Sequence, residues 1–242
     1  MLFWRKLVVF FFFVLFGLGA GIISFILFPL GTFFAKDKKR YYSNTIRYSW
    51  KLLIKLLALC KIIKLEIPEH EKISKIRGKI IVASHPSLID IVILMSLIPE
   101  CVCMAKKELV DNFLLKNILK RICITNDVSA EEFEKSATAA LLDGFNIIIF
   151  PTGTRSREGE KTKMHKGAAL LAISTNTPLV PLTIKTSYKF LASGQSILEV
   201  RKKPVVYEIR LKDEIDTANF KNAGYEISLR NSVCVKIKES IS

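Results

Sequence analysis

Ile147 to Gly159 reads IIIFPTGTRSREG. Three isoleucines followed by an aromatic suit a buried strand. Pro151 cannot donate to a strand ladder, and Gly153 readily takes a positive φ, so the strand ends abruptly in a small loop. That loop carries the hydroxyls of Thr152 and Thr154 and the fixed charge of Arg155. Arginine presents a planar fork to phosphate or carboxylate, and glycine lets backbone N–H groups approach an oxyanion. Sites in open α/β sheets form where strands end and loops or helices begin. This stretch therefore reads as a strand end built to hold an anion, with a purely structural Arg as the alternative.

Working outward, short apolar runs alternate with helical patterns from Lys61 onward. The runs Ile62–Ile67, Lys79–Ser84, Cys101–Ala105, Ile122–Thr125, Phe145–Phe150, Leu179–Lys185 and Val205–Leu211 read as strands. Leu88–Leu97, Asn112–Lys120, Ala130–Leu142, Lys166–Thr175 and Thr217–Glu239 read as helices. Strands separated by helices of about ten residues predict β-α-β units. The fold class is α/β, a mixed sheet flanked by helices, with an N-terminal membrane-embedded helical segment.

A second stretch, IIVASHPSLIDIVIL (Ile80–Leu94), also runs from strand to helix. His85 follows the strand, Pro86 is a good first helical residue, and Asp90 comes five positions later. In one regular helix His85 and Asp90 would diverge by about 140°, since each residue turns about 100°. They can meet only if His85 stands outside the helix on the incoming loop. A carboxylate on one imidazole nitrogen fixes the tautomer and stabilises the imidazolium, leaving the other nitrogen basic. The bland alternative is a helix-capping His beside an Asp at the helix start. On spacing alone, both readings stand.

The order of motifs carries more than any one of them. HPSLID is followed by MAKKEL (Met104–Leu109), then FPTGTRS, then VPLTI (Val180–Ile184). In that order these blocks resemble the glycerolipid acyltransferase family, which contains the 1-acylglycerol-3-phosphate acyltransferases. HPSLID resembles its H-x-x-x-x-D motif and FPTGTRS its F-P-E-G-T-R-S block. The resemblance implies a membrane-associated enzyme facing the cytoplasm. Such an enzyme moves a fatty acyl chain from a thioester, acyl-CoA or acyl-acyl carrier protein, to an acceptor hydroxyl, with no bound cofactor. It implies His85 as general base, Asp90 as its orienting partner and Arg155 as ligand of the acceptor's anionic head. Lys106, Thr152, Gly153 and Thr154 complete the expected substrate-binding set.

The chain departs from that pattern at Thr152, where the family usually has Glu. Asn126 and Asp127 lie where members acting on glycerol phosphates often carry Arg. The missing carboxylate should leave Arg155 freer but less firmly positioned. Either the acceptor differs from a simple glycerol phosphate, or Lys106, Lys107 or Lys166 compensates. His165, close after the Arg loop, is placed to touch substrate or is a surface residue at a helix start, the commoner case, and His70 reads as part of a polar turn.

Composition bounds the remaining classes. Lys and Arg number 37 against 22 acids, a formal net charge of +15. That excess suits anionic lipid, phosphorylated substrates or nucleic acid. Nucleic acid is disfavoured, because the basic residues are spread along the chain without a binding-module signature. The five cysteines and three histidines show no metal-ligand spacing, and the odd cysteine count argues against a disulfide framework. Cys101 and Cys103 alternate in one strand and read as small core residues.

Leu7–Phe34 carries no charge. As one helix it would run about 42 Å, longer than the ~30 Å hydrocarbon core. A tilted single span is one reading; the glycines of GLGAG (Gly17–Gly21) weaken a helix and offer a kinked or hairpin re-entrant element as the other. Arg5 and Lys6 before the run, and Lys36 to Arg40 after it, favour keeping both ends cytoplasmic. The organisation expected is a membrane anchor over residues 1–34, a basic amphipathic helix over 35–60 and an acyltransferase domain over 61–242. Charge and apolar segment alone would also fit a noncatalytic basic membrane-surface protein that binds anionic lipid. Such a protein has no need of His85 with Asp90.

Overall fold

A computed structural model describes residues 2–105, 113, 115–125, 129–153, 155, 164–220 and 226–241. Seven strands form one sheet: β1 (Ile63–Glu66), β2 (Ile80–Ala83), β3 (Cys101–Ala105), β4 (Cys123–Thr125), β5 (Asn146–Ile149), β6 (Leu179–Thr186) and β7 (Val205–Leu211). Their order is β1-β7-β6-β2-β5-β3-β4. Neighbours are parallel except β6 and β7, which are antiparallel, so the sheet is mixed as expected. Each of the seven apolar runs became a strand.

The central strands are buried on both faces, which is why β2 and β5 read as continuous apolar runs. Ile81, Ala83, Ile148 and Leu182 point into one core, while Ile80, Val82, Ile147 and Leu179 point into another. The first core is closed by helices α1 (Leu2–Ile22), α2 (Phe28–Phe34), α3 (Lys38–Leu59), α4 (His70–Ser74), α5 (Asp90–Leu97) and α6 (Lys116–Ile122). The second is closed by α7 (Ala130–Leu142), α8 (Gly167–Thr175) and α9 (Glu226–Ile241). Helix α7 starts on a capping box: the Ser129 hydroxyl accepts the Glu132 N–H, and the Glu132 carboxylate accepts the Ser129 N–H. Cys101 and Cys103 are buried in the first core, as their alternation predicts.

The N-terminal segment does not turn at its glycines. Helix runs without a break from Leu2 to Phe34, through Gly17, Gly19 and Gly21. Its irregularity is a π-helical stretch, Ile23–Leu27, in which Phe28 N–H reaches the Ile23 carbonyl. The reason lies just downstream. Pro29 has no N–H, and its ring would clash with the carbonyl four residues back in a regular helix. The wider π turn makes room for it.

The chain reverses at Ala35–Asp37. The Asp37 carboxylate accepts Arg40 N–H and caps α3. Gly31 permits the reversal to be tight, because a β-carbon there would collide with the Tyr41 ring. Tyr41 O–H donates to Leu27 O at 3.1 Å, and Phe28 packs on Tyr42 with ring centroids 4.6 Å apart. At the far end, Arg5 donates to Lys61 O at 2.7 Å and Lys203 O at 3.2 Å. The long helix therefore runs back along α3, with both ends fastened to the folded domain. Val9, Phe12, Ala20, Ile23 and Phe28 are buried, while Phe10, Phe11, Leu18, Phe25 and Phe33 are exposed. In α3, Ile46 and Leu57 are buried and Lys51 and Lys55 exposed, as the amphipathic reading requires. Cys60 is exposed because α3 ends at Leu59.

Candidate active site

The loop after β2 is built around one carboxylate. Asp90 is the first residue of α5 and is fully buried. Its Oδ2 accepts the Ser87 N–H at 2.7 Å and lies 2.9 Å from His85 Nδ1. His85 stands outside the helix, with Pro86 and Ser87 folding the chain back, so the fivefold spacing that fails in a regular helix succeeds here. Ser84 fixes the start of the loop: its hydroxyl accepts Ile184 N–H at 2.7 Å and donates to Ile184 O at 3.2 Å.

Burial raises the Asp90 carboxyl above the usual carboxylate range, while the hydrogen bonds from His85 and Ser87 and the charge of Arg155 act against that rise. Its Oδ1 is buried without a hydrogen-bond partner among the described residues. A positive charge on His85 would lower the energy of the Asp90 anion, and the anion would stabilise the imidazolium in return.

The stretch Ile147–Gly159 reaches the same place, because β5 lies directly beside β2. The Phe150 ring stacks on His85 with centroids 4.1 Å apart and planes 17° from parallel. The imidazole is thus held by a carboxylate at its edge and an aromatic on its face. Gly153 N–H then donates to Phe150 O at 2.9 Å, closing the turn. Gly153 has φ +64°, and a β-carbon there would lie 3.0 Å from the His165 ring. His165 N–H also donates to Pro151 O at 2.7 Å. His165 does precede a helix and is exposed, and its ring borders the Gly153 turn.

Arg155 lies close by. Its Nη1 donates to Leu191 O at 2.9 Å and to Ala192 O at 3.1 Å. Neutral carbonyls position the guanidinium without cancelling its charge. That modifies the expectation drawn from Thr152: the arginine is anchored even without a glutamate. Thr152 is half-buried in the same turn. Lys106, Lys107, Asn126, Asp127 and Thr154 lie outside the described residues. Lys166 is exposed ahead of α8, and His70 opens the short α4.

Three participants escaped the sequence reading. Ser87 holds Asp90 through its N–H and donates from its hydroxyl to Phe190 O at 2.8 Å. Tyr207, on β7, donates to that same hydroxyl at 2.8 Å. Phe190 to Ala192 accept bonds from both loops, and Leu191 adopts φ +53° there. Ser87 sits inside HPSLID and could have been noticed. Nothing local marks Tyr207, 120 residues away. Among the described residues, no group of three or more His, Cys, Asp or Glu could hold a metal ion.

A strand-end histidine is locked to a buried carboxylate, beside a turn on the next strand that carries Arg155. The family model described as Acyltransferase matches residues 64–185, and the chain belongs to that family. It is 34% identical over 134 residues to a 1-acyl-sn-glycerol-3-phosphate acyltransferase of Cocos nucifera, covering 52% of this chain and 42% of that protein. It is 28% identical over 156 residues to the human 1-acyl-sn-glycerol-3-phosphate acyltransferase beta, covering 57% and 55% respectively. The chain thus spans about half the length of the curated relatives it matches. The crystal structure of the 1-acyl-sn-glycerophosphate acyltransferase PlsC from Thermotoga maritima superposes with a TM-score of 0.73. That match covers 99% of this chain and 95% of the other at 23% identity, a likeness of fold.

Gly153→Ala should lower stability by about 1–2 kcal/mol, the cost of a left-handed backbone for an L-residue. The added methyl also presses on His165. Thermal melts of Gly153→Ala and of Gly153→Ala/His165→Ala separate the two effects. The double variant should recover only the steric part. Full recovery would show that the backbone conformation costs nothing.

Proposed function

We propose that this protein is a membrane-bound O-acyltransferase. It would move a fatty acyl chain from an acyl thioester, carried by coenzyme A or acyl carrier protein, to a hydroxyl of a lyso-lipid or glycerophosphate-like acceptor. The observation that carries the reading is the 2.9 Å contact of His85 Nδ1 with buried Asp90. It leaves Nε2 as the nitrogen for a substrate proton. As the acceptor oxygen attacks the thioester carbonyl, His85 takes the hydroxyl proton. The tetrahedral oxyanion collapses, the C–S bond breaks, and the imidazolium returns the proton to the departing thiolate. No enzyme nucleophile is needed, because the acceptor itself attacks. Arg155 would hold the acceptor's anionic head beside Thr152 and Gly153, and the motif resemblance adds Thr154 and Lys106 to the binding set.

His85→Ala should lower turnover at least ~10²–10⁴-fold with folding and membrane association retained. Asp90→Asn should also reduce it strongly, because the neutral amide cannot stabilise the imidazolium. The check is acyl transfer from radiolabelled acyl-CoA and acyl-acyl carrier protein by proteins of matched melting temperature. Near-normal turnover by folded His85→Ala would rule out the assignment.

Thr152 bears on the acceptor. Its hydroxyl carries no charge, and Asn126 and Asp127 stand where members acting on glycerol phosphates often carry Arg, so one acidic and one basic group expected for a phosphate-monoester acceptor are missing together. We expect weak preference for a doubly charged phosphate monoester and better use of a less charged or differently shaped acceptor. Wild type and Thr152→Glu should be compared on lysophosphatidic acid, a lysophosphodiester and an amino-acid lyso-lipid, with one acyl donor. The glutamate variant should shift toward lysophosphatidic acid. A wild type that strongly prefers lysophosphatidic acid would make Thr152 a neutral variant of the motif.

The Leu2–Phe34 helix is long and apolar enough to cross a membrane. Both its ends are fastened to the domain, Arg5 to Lys61 O and Leu27 O to Tyr41, which favours a helix lying in one leaflet over one crossing both. Its exposed aromatics would sit among acyl chains, and Lys51 and Lys55 near anionic headgroups on the cytoplasmic side. Phe11→Asp/Leu18→Asp places two charges on that outward surface. The full chain so altered should partition poorly into vesicles, and Lys51→Glu/Lys55→Glu should weaken binding only to anionic vesicles at low salt. Unchanged flotation of the aspartate variant would contradict the in-plane placement.

A further inference from the structure

The His85–Asp90 pair is set by a third residue of the same HPSLID stretch, Ser87, which is itself held from outside that motif. Asp90 Oδ2 receives its second hydrogen bond from the backbone of Ser87, so the position of Ser87 decides where the carboxylate meets the imidazole. The Ser87 side chain is itself held on two sides. Its hydroxyl proton goes to Phe190 O at 2.8 Å, and its oxygen accepts the Tyr207 O–H at 2.8 Å. Leu88 N–H adds a bond to Leu191 O at 3.0 Å. Ser87 and Tyr207 are 1% and 0% exposed.

Tyr207 arrives from two strands away, since β6 lies between β7 and β2. The antiparallel step makes this possible. Tyr207, near the start of β7, pairs with Thr186 at the end of β6, so its ring begins at the same end of the sheet as His85. We propose that Tyr207, acting through the Ser87 hydroxyl, is a positioning residue for acyl transfer. In this chain, Tyr207 to Ser87 to Phe190 holds the Ser87 backbone, and with it Asp90 and His85, in the geometry that proton transfer needs.

The direction of the chain follows from its chemistry. A phenol has one proton to give, and the carbonyl of Phe190 can only accept. Serine between them must therefore accept from tyrosine and donate to the carbonyl. Burial pushes the Tyr207 phenol far above its ordinary range, so it stays a neutral donor throughout the working pH range. A packing role alone would need the ring but not the oxygen, since a buried hydroxyl without a partner is a liability.

This inference rests on His85 being the general base. The test uses full-length protein in detergent micelles, with Tyr207→Phe, Ser87→Ala and the double variant. Tyr207→Phe keeps the ring and removes one hydrogen bond. It should lower kcat roughly three- to tenfold, the loss expected for one net hydrogen bond, with KM for donor and acceptor within about twofold. Ser87→Ala should lower kcat at least as much. Adding Tyr207→Phe to it should cause no further loss, because tyrosine acts only through the serine oxygen. In nitrogen-15 histidine spectra, the hydrogen-bonded Nδ1–H signal of His85 should move or broaden in both single variants. If Tyr207→Phe destabilises the fold, Ser87→Ala carries the same kinetic and spectroscopic test.

Wild-type kcat with an unmoved His85 signal in Tyr207→Phe would overturn the proposal, as would multiplicative losses in the double variant. An active His85→Ala overturns the underlying reading instead. An inactive His85→Ala beside a fully active Tyr207→Phe removes the positioning role alone.

Discussion

The site depends on burying the Asp90 carboxylate at the start of α5. A buried carboxylate is costly unless charged or hydrogen-bonding groups meet it. Here one oxygen takes the Ser87 N–H and faces His85 Nδ1, while the other has no partner among the described residues. Burial raises the carboxyl, and the contacts with His85 and Ser87 oppose that rise. The constraint explains why the loop leaves the helix before Asp90, why Pro86 marks the break, and why a small residue stands at Ser87. A residue without a hydroxyl at position 87 would leave the loop without its ties to Phe190 and Tyr207.

The sheet brings the parts together by strand order. In a parallel arrangement the carboxyl ends of β2 and β5 face the same way, so the His85 loop and the Arg155 loop are neighbours despite their separation in the chain. The reversal from β6 to β7 carries the 187–204 segment back to that end. Phe190, Leu191 and Ala192 then accept bonds from Ser87, Leu88 and Arg155. One short piece of backbone is shared by both motifs.

The N-terminal helix shows a different balance. Each glycine in GLGAG weakens a helix by about 1 kcal/mol. The helix persists because one side packs on α3 and the core, burying Val9, Phe12, Ala20 and Ile23. Proline, not glycine, decided where regularity fails, since it removes a donor and imposes a clash that a π turn resolves. Tyr41 then fits against Gly31 only because no β-carbon is present.

The sequence by itself determined the seven strands, the main helices and the two chemical motifs. These signals are local: apolar run length, helical period, a proline after a histidine, a glycine in a strand-end turn. Each can be read within a dozen residues, and the order of the blocks supplied the rest. Only the tertiary structure decided that Phe150 stacks on His85, that His165 borders Gly153, and that Leu191 and Ala192 anchor Arg155. It also decided that Tyr207 reaches Ser87 across an intervening strand. Those contacts depend on which strands lie side by side and in which direction they run. Strand pairing between distant segments is set by burial of the whole sheet, and no short stretch carries that information.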